Sequence, residues 1–310
     1  AAAESHPADL LTRLASLLTG ELHVTPLPED LMQEAGKRGY GSIQARVPAF
    51  RISFNFRCCQ YIDPYNISLG VKNPASPLND PRVRRLLNKA INRDELNRKV
   101  FGGKGVVSIN QPFHQTRQGW NPDWEKRYPE EYGYDPTKAK ALMAEAGFGP
   151  GKPLKVNLEL TPSRGTPNSE DIIEAVGNYW RTIGIDVNFV KEPDAKKRDA
   201  FTDHIYLQDS GAEEWTGSYS AGGSRLAGST IMTISAADDL LEQIAVTLDD
   251  KKRDDLYRQM ADINYNQFKH IQLLWINPEV AINQNIVSDY LFPGNITGSW
   301  THIEYLKAAR

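Results

Sequence analysis

Cysteine is almost missing from this chain, and the only two, Cys58 and Cys59, are neighbours. A bridge between adjacent residues is strained and no third cysteine offers a partner, so the pair reads as two reduced thiols in or near a strand. A zinc or redox site would need more ligands than lie nearby. The scarcity does not argue against an oxidising compartment, because a chain of 310 residues buries enough core to fold without staples. Catalytic spacing is missing too. The six histidines, at 6, 23, 114, 204, 270 and 302, form no H-E-x-x-H or H-x-H pair, and there is no G-x-S-x-G elbow. Gly102-Gly-Lys-Gly105 lacks the Walker spacing and reads as a turn that ends a helix. No EF-hand spacing surrounds the acidic pairs. Asp238-Asp239 suits a helix cap, and Asp249-Asp250 and Asp254-Asp255 suit solvated faces. These absences argue against an enzyme, a metal site and a cofactor.

Excess positive charge is absent as well: 36 Lys and Arg face 39 Asp and Glu, so nucleic acid is not an expected partner. No apolar run reaches the roughly 18–20 residues that cross a bilayer. Ala1-Ala-Ala-Glu4 shows neither a charged nor an apolar leader segment, which implies that a leader was removed or that the native start lies upstream. No repeat of 20–50 residues and no low-complexity tract appears.

What is present is a strand–helix alternation. Helices are expected over residues 6–20, 29–36, 82–91, 93–101, 136–146, 169–183 and, broken near Asp249, 240–268. Strands are expected over 22–24, 49–56, 67–71, 154–160, 185–190, 204–207, 271–276 and 280–282. Ile52, Phe54 and Phe56 alternate as a half-buried strand would. Residues 107–127 read as irregular and aromatic. Trp120, Trp124 and Tyr128 are weak cleft candidates there, better read as a loop packed on its own lobe, and Trp275 reads as core. The order is that of an α/β fold.

The stretch from Asn79 to Glu95 carries the strongest local signal. Asp80-Pro81 starts a helix, since aspartate accepts from orphan N–H groups and proline has none to waste. Val83, Leu86, Leu87, Ala90 and Ile91 form one apolar stripe, and Arg82, Arg84, Arg85, Lys89 and Arg93 read as its solvated basic face. The wording D-P-R-V-R, followed by Tyr134-Asp-Pro-Thr-Lys-Ala-Lys-Ala-Leu-Met-Ala-Glu-Ala-Gly147, resembles the large extracytoplasmic solute-binding proteins of ABC transporters, the peptide/nickel-binding family 5. Residues 12–24, with R-L-x-x-L-x-x-G-E, are similar to a segment of that family. So are Phe54-Asn55 and the Trp180-Arg-Thr-Ile-Gly-Ile-Asp-Val187 turn.

The resemblance implies a periplasmic-binding-protein-like α/β fold, two lobes joined by crossing hinge strands, with the N-terminal lobe incomplete. Residues 1–56 would be part of lobe I, 57–272 the second lobe, and 273–310 the return to lobe I. It further implies an exported, monomeric solute-binding component of an importer, with membrane permease subunits as partners. Contact with the membrane would come through the permease or through a lipid anchor upstream. A ligand-sensing domain of a regulator, or an enzyme on the same scaffold, is the alternative. The ligand-facing residues would be Asn55 at the crossing and, in the Gly- and Ser-rich stretch after residue 206, Asp209, Glu213, Glu214, Trp215, Tyr219 and Arg225. Family peptide binders place an aspartate there, in W-x-x-D-Y or G-D-x-x-D-P, to hold the amino terminus of the peptide. This sequence matches neither phrase.

Overall fold

The computed structural model of the chain describes residues 7–46, 50–63, 65–116, 118–161, 166, 168–191, 203–211, 232, 234–292 and 303–310. Two sheets organise them. The smaller is antiparallel, in the order β1 (Val24–Thr25), β9 (Glu279–Ile282), β2 (Gly41–Gln44). Helices α1 (Pro7–Thr19) and α2 (Glu29–Lys37) pack beside it through Leu14, Leu17, Leu27, Ala35 and Ala281. A ribbon of β10 (Val287–Asp289) and β11 (Lys307–Ala308) completes this unit.

The larger sheet runs β4 (Val106–Val107), β8 (His270–Ile276), β3 (Phe50–Arg57), β7 (His204–Gly211), β5 (Lys155–Glu159), β6 (Asp186–Val190). Its first three pairings are antiparallel and its last two parallel. Strands β5, β6, β7 and β8 therefore aim their carboxyl ends at one edge, where β3 begins. One face is covered by α3 (Pro81–Lys89), α4 (Arg93–Phe101), α6 (Pro136–Glu145) and α7 (Ser169–Thr182), which share a core with Phe50, Ile52, Phe54 and Phe56. A second core joins α5 (Asp123–Glu131), α8 (Ser235–Val246) and α9 (Asp250–Asn266) around Trp124, Tyr257 and Tyr265.

The local signals act as expected at the element ends. Asp80 Oδ1 accepts from the Arg82 N–H at 2.8 Å, and Asp135 Oδ1 from that of Lys138 at 2.8 Å. Gly102 closes α4 at φ +57°, and Gly184 turns α7 into β6 at φ +96°, where a side chain would be strained. The apolar stripe of α3 is buried, with Val83, Leu86 and Leu87 at 0% exposure, so each leucine contributes about 1.5–3 kcal/mol.

Several expectations are corrected. The basic face of α3 is not wholly solvated: Arg84, Lys89 and Arg93 are buried. Backbone carbonyls replace water around them. Lys89 Nζ donates to the carbonyls of Glu130 and Gly133 at 3.0 and 3.1 Å, and Arg84 donates to Leu78, Asn79 and Gln267. Burial lowers the pKa of each cation, to about 10 for Arg84. Strand β3 is buried on both faces rather than half-buried, and both its edges are paired, with β8 and with β7. Cys58 and Cys59 are joined to each other rather than left as thiols, across a Cα–Cα distance of 3.7 Å. Cys59 turns at φ +65°, a conformation that residues with a Cβ seldom take, and the turn brings the two sulfurs together. Residues 67–71 do not form a strand; Ile67–Leu69 is a short 3₁₀ turn, and Val71 makes a lone bridge to Tyr61. The aromatic stretch contains α5, despite Pro129 within it. Asp238 lies inside the first turn of α8 rather than at its cap, which is Ile234. Asp254 is more than a solvated charge, since its Oδ1 accepts the Gly119 N–H at 2.6 Å.

The second face of β3 is polar. Arg51, Ser53, Asn55 and Arg57 alternate with the phenylalanines, and His204, Tyr206 and Gln208 stand opposite on β7. His270, 1% exposed, donates from Nδ1 to Asn55 Oδ1 at 2.7 Å. Burial, then the charges of Lys269 and Arg51, push its pKa well below the ordinary 6.5. As pH falls through 6.5 the unfolded histidine takes a proton that the folded one refuses, so stability falls with pH below that value. The loss is at most about 1.4 kcal/mol per pH unit. Urea unfolding at pH 7.5 and 5.5 measures it, and His270→Gln is expected to flatten that difference by up to about 1.4 kcal/mol.

Candidate functional site

The two sheets are joined where β3 enters and β8 leaves the larger one. Phe50 pairs with Ile276 on one side and with Gly211, the end of β7, on the other. The crossing thus sits at the carboxyl edge of the large sheet, the edge at which open α/β sheets bind ligands. There the two units border an open crevice of about 100 Å³. Pro26, Leu27, Pro28 and Met32 line it from the small unit, and Val100, Phe101, Thr166 and Asn168 from the large one. Ile276, Asn277 and Pro278 form its floor, along the return strand.

A clamp of charge closes its rim. Lys104, just past the Gly102-Gly103 turn, donates to Glu29 Oε2 and to Glu279 Oε2, both at 2.9 Å. The remaining oxygens are matched: Gln33 Nε2 donates to Glu29 Oε1 at 3.2 Å, and the Ser42 hydroxyl donates to Glu279 Oε1. Burial opposes the charge on Lys104, but the bonds to Glu279 and Glu29 outweigh it and raise its pKa. The lysine belongs to the large unit and both glutamates to the small one, so the clamp spans the crossing.

The expected site residues divide. Asn55 lies deeper in the sheet, 1% exposed, and is committed within the protein: its Nδ2 donates to Tyr206 Oη at 3.3 Å and to Gln208 Oε1. Asp209 lies on β7, paired with Ile52, two residues before the strand's end at the crossing edge. Glu213, Glu214, Trp215, Tyr219 and Arg225 lie outside the described residues. Trp120, Trp124 and Tyr128 belong to the second core, and Trp275, 2% exposed, packs edge-on to His114. Glu29, Lys104 and Glu279 carried no sequence signal, being brought together from three distant elements. Among the described residues no cluster of three or more His, Cys, Asp or Glu could hold a metal, and no helix is long and apolar enough to cross a membrane.

Known proteins resemble the chain in sequence and in fold. A sequence model described as bacterial extracellular solute-binding proteins, family 5 Middle, matches residues 6–226. The dipeptide-binding protein of Escherichia coli is 25% identical over 277 residues, which is 84% of this chain and 46% of that protein. Heme-binding protein A of Haemophilus influenzae is 28% identical over 201 residues, covering 62% of this chain and 36% of that one. The chain spans about half the length of the curated relatives it matches. Among solved structures, NikA from Brucella suis in complex with Fe(III)-EDTA superposes with a TM-score of 0.75 at 16% identity, over 97% of this chain and 60% of that one. DppA from Helicobacter pylori in complex with the peptide STSA gives 0.71 at 19% identity, over 96% and 55%. These two share the fold.

Proposed function

The chain belongs to the bacterial extracellular solute-binding proteins of family 5, and from that membership we propose that it captures a small solute between its two units and hands it to the membrane permease of an ABC importer, outside the cytoplasm. Residues 1–56 and 273–310 would contribute to one lobe and 57–272 to the other, with β3 and β8 as the crossings. One observation carries the reading: two units, each with its own sheet and core, meet at the carboxyl edge of the larger sheet and leave an open crevice between them. A solute that touches both units stabilises the arrangement in which they are close, and the closed form is what a permease can recognise. The relatives' names give a dipeptide and a heme as what those proteins bind, so the solute is of that order of size. The protein acts by binding, as a monomer, and Asp209 with the residues that follow it supplies polar contacts to the solute.

The test is a thermal-shift panel of dipeptides, glutathione, nickel–histidine and oligosaccharides. One class is expected to stabilise the protein by about 2.7 kcal/mol at a hundred times its Kd. Asp209→Asn should shrink that gain and leave the unliganded midpoint unchanged. Silence from every class, in a folded protein, would sink the reading.

A further inference from the structure

The charge clamp at the rim belongs to neither unit alone. Lys104 of the large unit donates at 2.9 Å to Glu29 and at 2.9 Å to Glu279, both in the small one. The two acids differ in how they are held. Glu279 lies three residues past Ile276, where β8 ends, and Lys104 lies two residues before the Val106–Trp275 pairing. So short a stretch of chain keeps this pair together at any angle between the units. Glu29 opens α2 and reaches the crossing only through α2 and β2. Its carboxylate also stands against the end of α4: a β-carbon on Gly102 would lie 3.5 Å from Glu29 Oε1. A helix ends in partial negative charge, so a carboxylate there is repelled unless a cation stands beside it. With Lys104 in place the contact attracts; without it, the contact repels. The side chains are part-exposed, Lys104 at 44% and Glu29 at 26%, so dissolved ions reach the pair and screen it.

We propose that Lys104 and Glu29 form an electrostatic latch that draws the two units together before a solute arrives, so that ionic strength sets how far the solute-free protein is closed. Lys104 is thus a positioning residue, acting through Glu29 on the small unit. The latch rests on the solute-binding reading for its purpose, since a larger closed fraction raises the apparent affinity in proportion; its test does not. An exposed ion pair shifts the ratio of closed to open by about two- to fivefold, which tunes the balance without locking it. A solute that touches both units still decides the outcome.

Methyl NMR follows the latch without any solute. Met32, on α2, lines the crevice across from Phe101, whereas Met143, Met232 and Met260 lie in the two large cores. With ¹³C-methyl methionine, line broadening by a dissolved nitroxide reads how open each methyl is to solvent. Raising NaCl from about 0.01 M to about 1 M shortens the Debye length from about 30 Å to about 3 Å. Broadening at Met32 is expected to rise with that salt and to stay level at the other three. Lys104→Gln and Glu29→Gln should show the high-salt broadening already at low salt, and Glu279→Gln should open the units less. Reversing the pair, Lys104→Glu with Glu29→Lys, should restore the salt-dependent closure. Lys99→Gln is the control for lost charge, because Lys99 pairs with Glu95 inside α4. A Met32 signal blind to salt and to both substitutions overturns the latch, as does a Lys99→Gln protein that opens as Lys104→Gln does. The two readings fail separately. A hit in the solute panel with a salt-blind Met32 keeps the receptor and strikes out the latch, and a silent panel with salt-driven opening does the reverse.

Discussion

Replacing Arg93 by methionine is expected to lower the free energy of unfolding by about 1–3 kcal/mol, the range for leaving buried hydrogen-bonding groups unsatisfied. Arg93 is 4% exposed. Its Nε donates to the Gln272 carbonyl at 2.5 Å, and its Nη1 to the carbonyls of Asn88, Ile91 and Tyr132 at 2.9, 3.3 and 3.2 Å. Its Nη2 donates to Asn88 Oδ1 at 2.8 Å. One side chain thus ties the end of α3, the segment after α5 and strand β8 together. Methionine fills the volume but donates nothing, so five acceptors each lose one donor in a buried place, although the Asn88 carbonyl keeps the Ile91 N–H and Asn88 Oδ1 keeps the Gln272 N–H. Urea unfolding measures the loss. Arg85→Met is the control: Arg85 is 25% exposed with a solvated partner in Glu130, and should change stability by less than about 1 kcal/mol. Asn88→Ala acts on the same network, so the double variant should lose less than the sum of the two. A midpoint for Arg93→Met indistinguishable from that of the Arg85 control would mean that the carbonyl cage adds nothing.

Trp124→Ala is expected to cost about 3–5 kcal/mol by opening a cavity in the second core. The ring is fully buried and stacks on Tyr265 at 5.7 Å, with Trp120 edge-on at 5.3 Å and Phe113 at 6.0 Å. Its Nε1 donates to Asp262 Oδ1 at 2.7 Å, which would be left to Asn121 alone. The solute-induced thermal shift should survive the change, because the ring lies in the core of α5, α8 and α9 and does not line the crevice. A variant that unfolds at the wild-type midpoint yet loses that shift would place Trp124 in the binding cleft instead.

How much of this could be read from the chain depends on distance along it. Asp80, Asp135, Gly102 and Gly184 act on backbone within a few residues, and each does what its residue type promised. The stripe Val83, Leu86, Leu87 faces the core because a helix has a period, whatever it packs against. The same counting placed Arg84, Lys89 and Arg93 in water, since periodicity ranks cations as surface residues. It has no view of the carbonyls of Gln267, Gly133 and Gln272 that accept from them. Asn55 lies on the crossing strand, deeper in the sheet and on its polar face, which only the register with His270 and Tyr206 discloses. The rim of the crevice was the least legible part: Lys104 reaches Glu29 and Glu279 across 75 and 175 residues. What the chain did carry from end to end was its family wording, and that led to the two-lobed fold.

The crossing has a mechanical side. Its two chains are stitched on both flanks, by the Ala45 N–H to the Pro278 carbonyl at 2.9 Å in the small unit and by the Phe50–Ile276 pairing in the large one. Between those stitches one chain has four residues, 46–49, and the other has only Asn277. A single residue spans about 3.3–3.6 Å when extended and has two soft dihedrals, so Asn277 sets the pivot. In the proposed closing motion the small unit therefore swings about Asn277 as a gate does on a single pin. Lengthening that link is what would let the two halves lose their alignment.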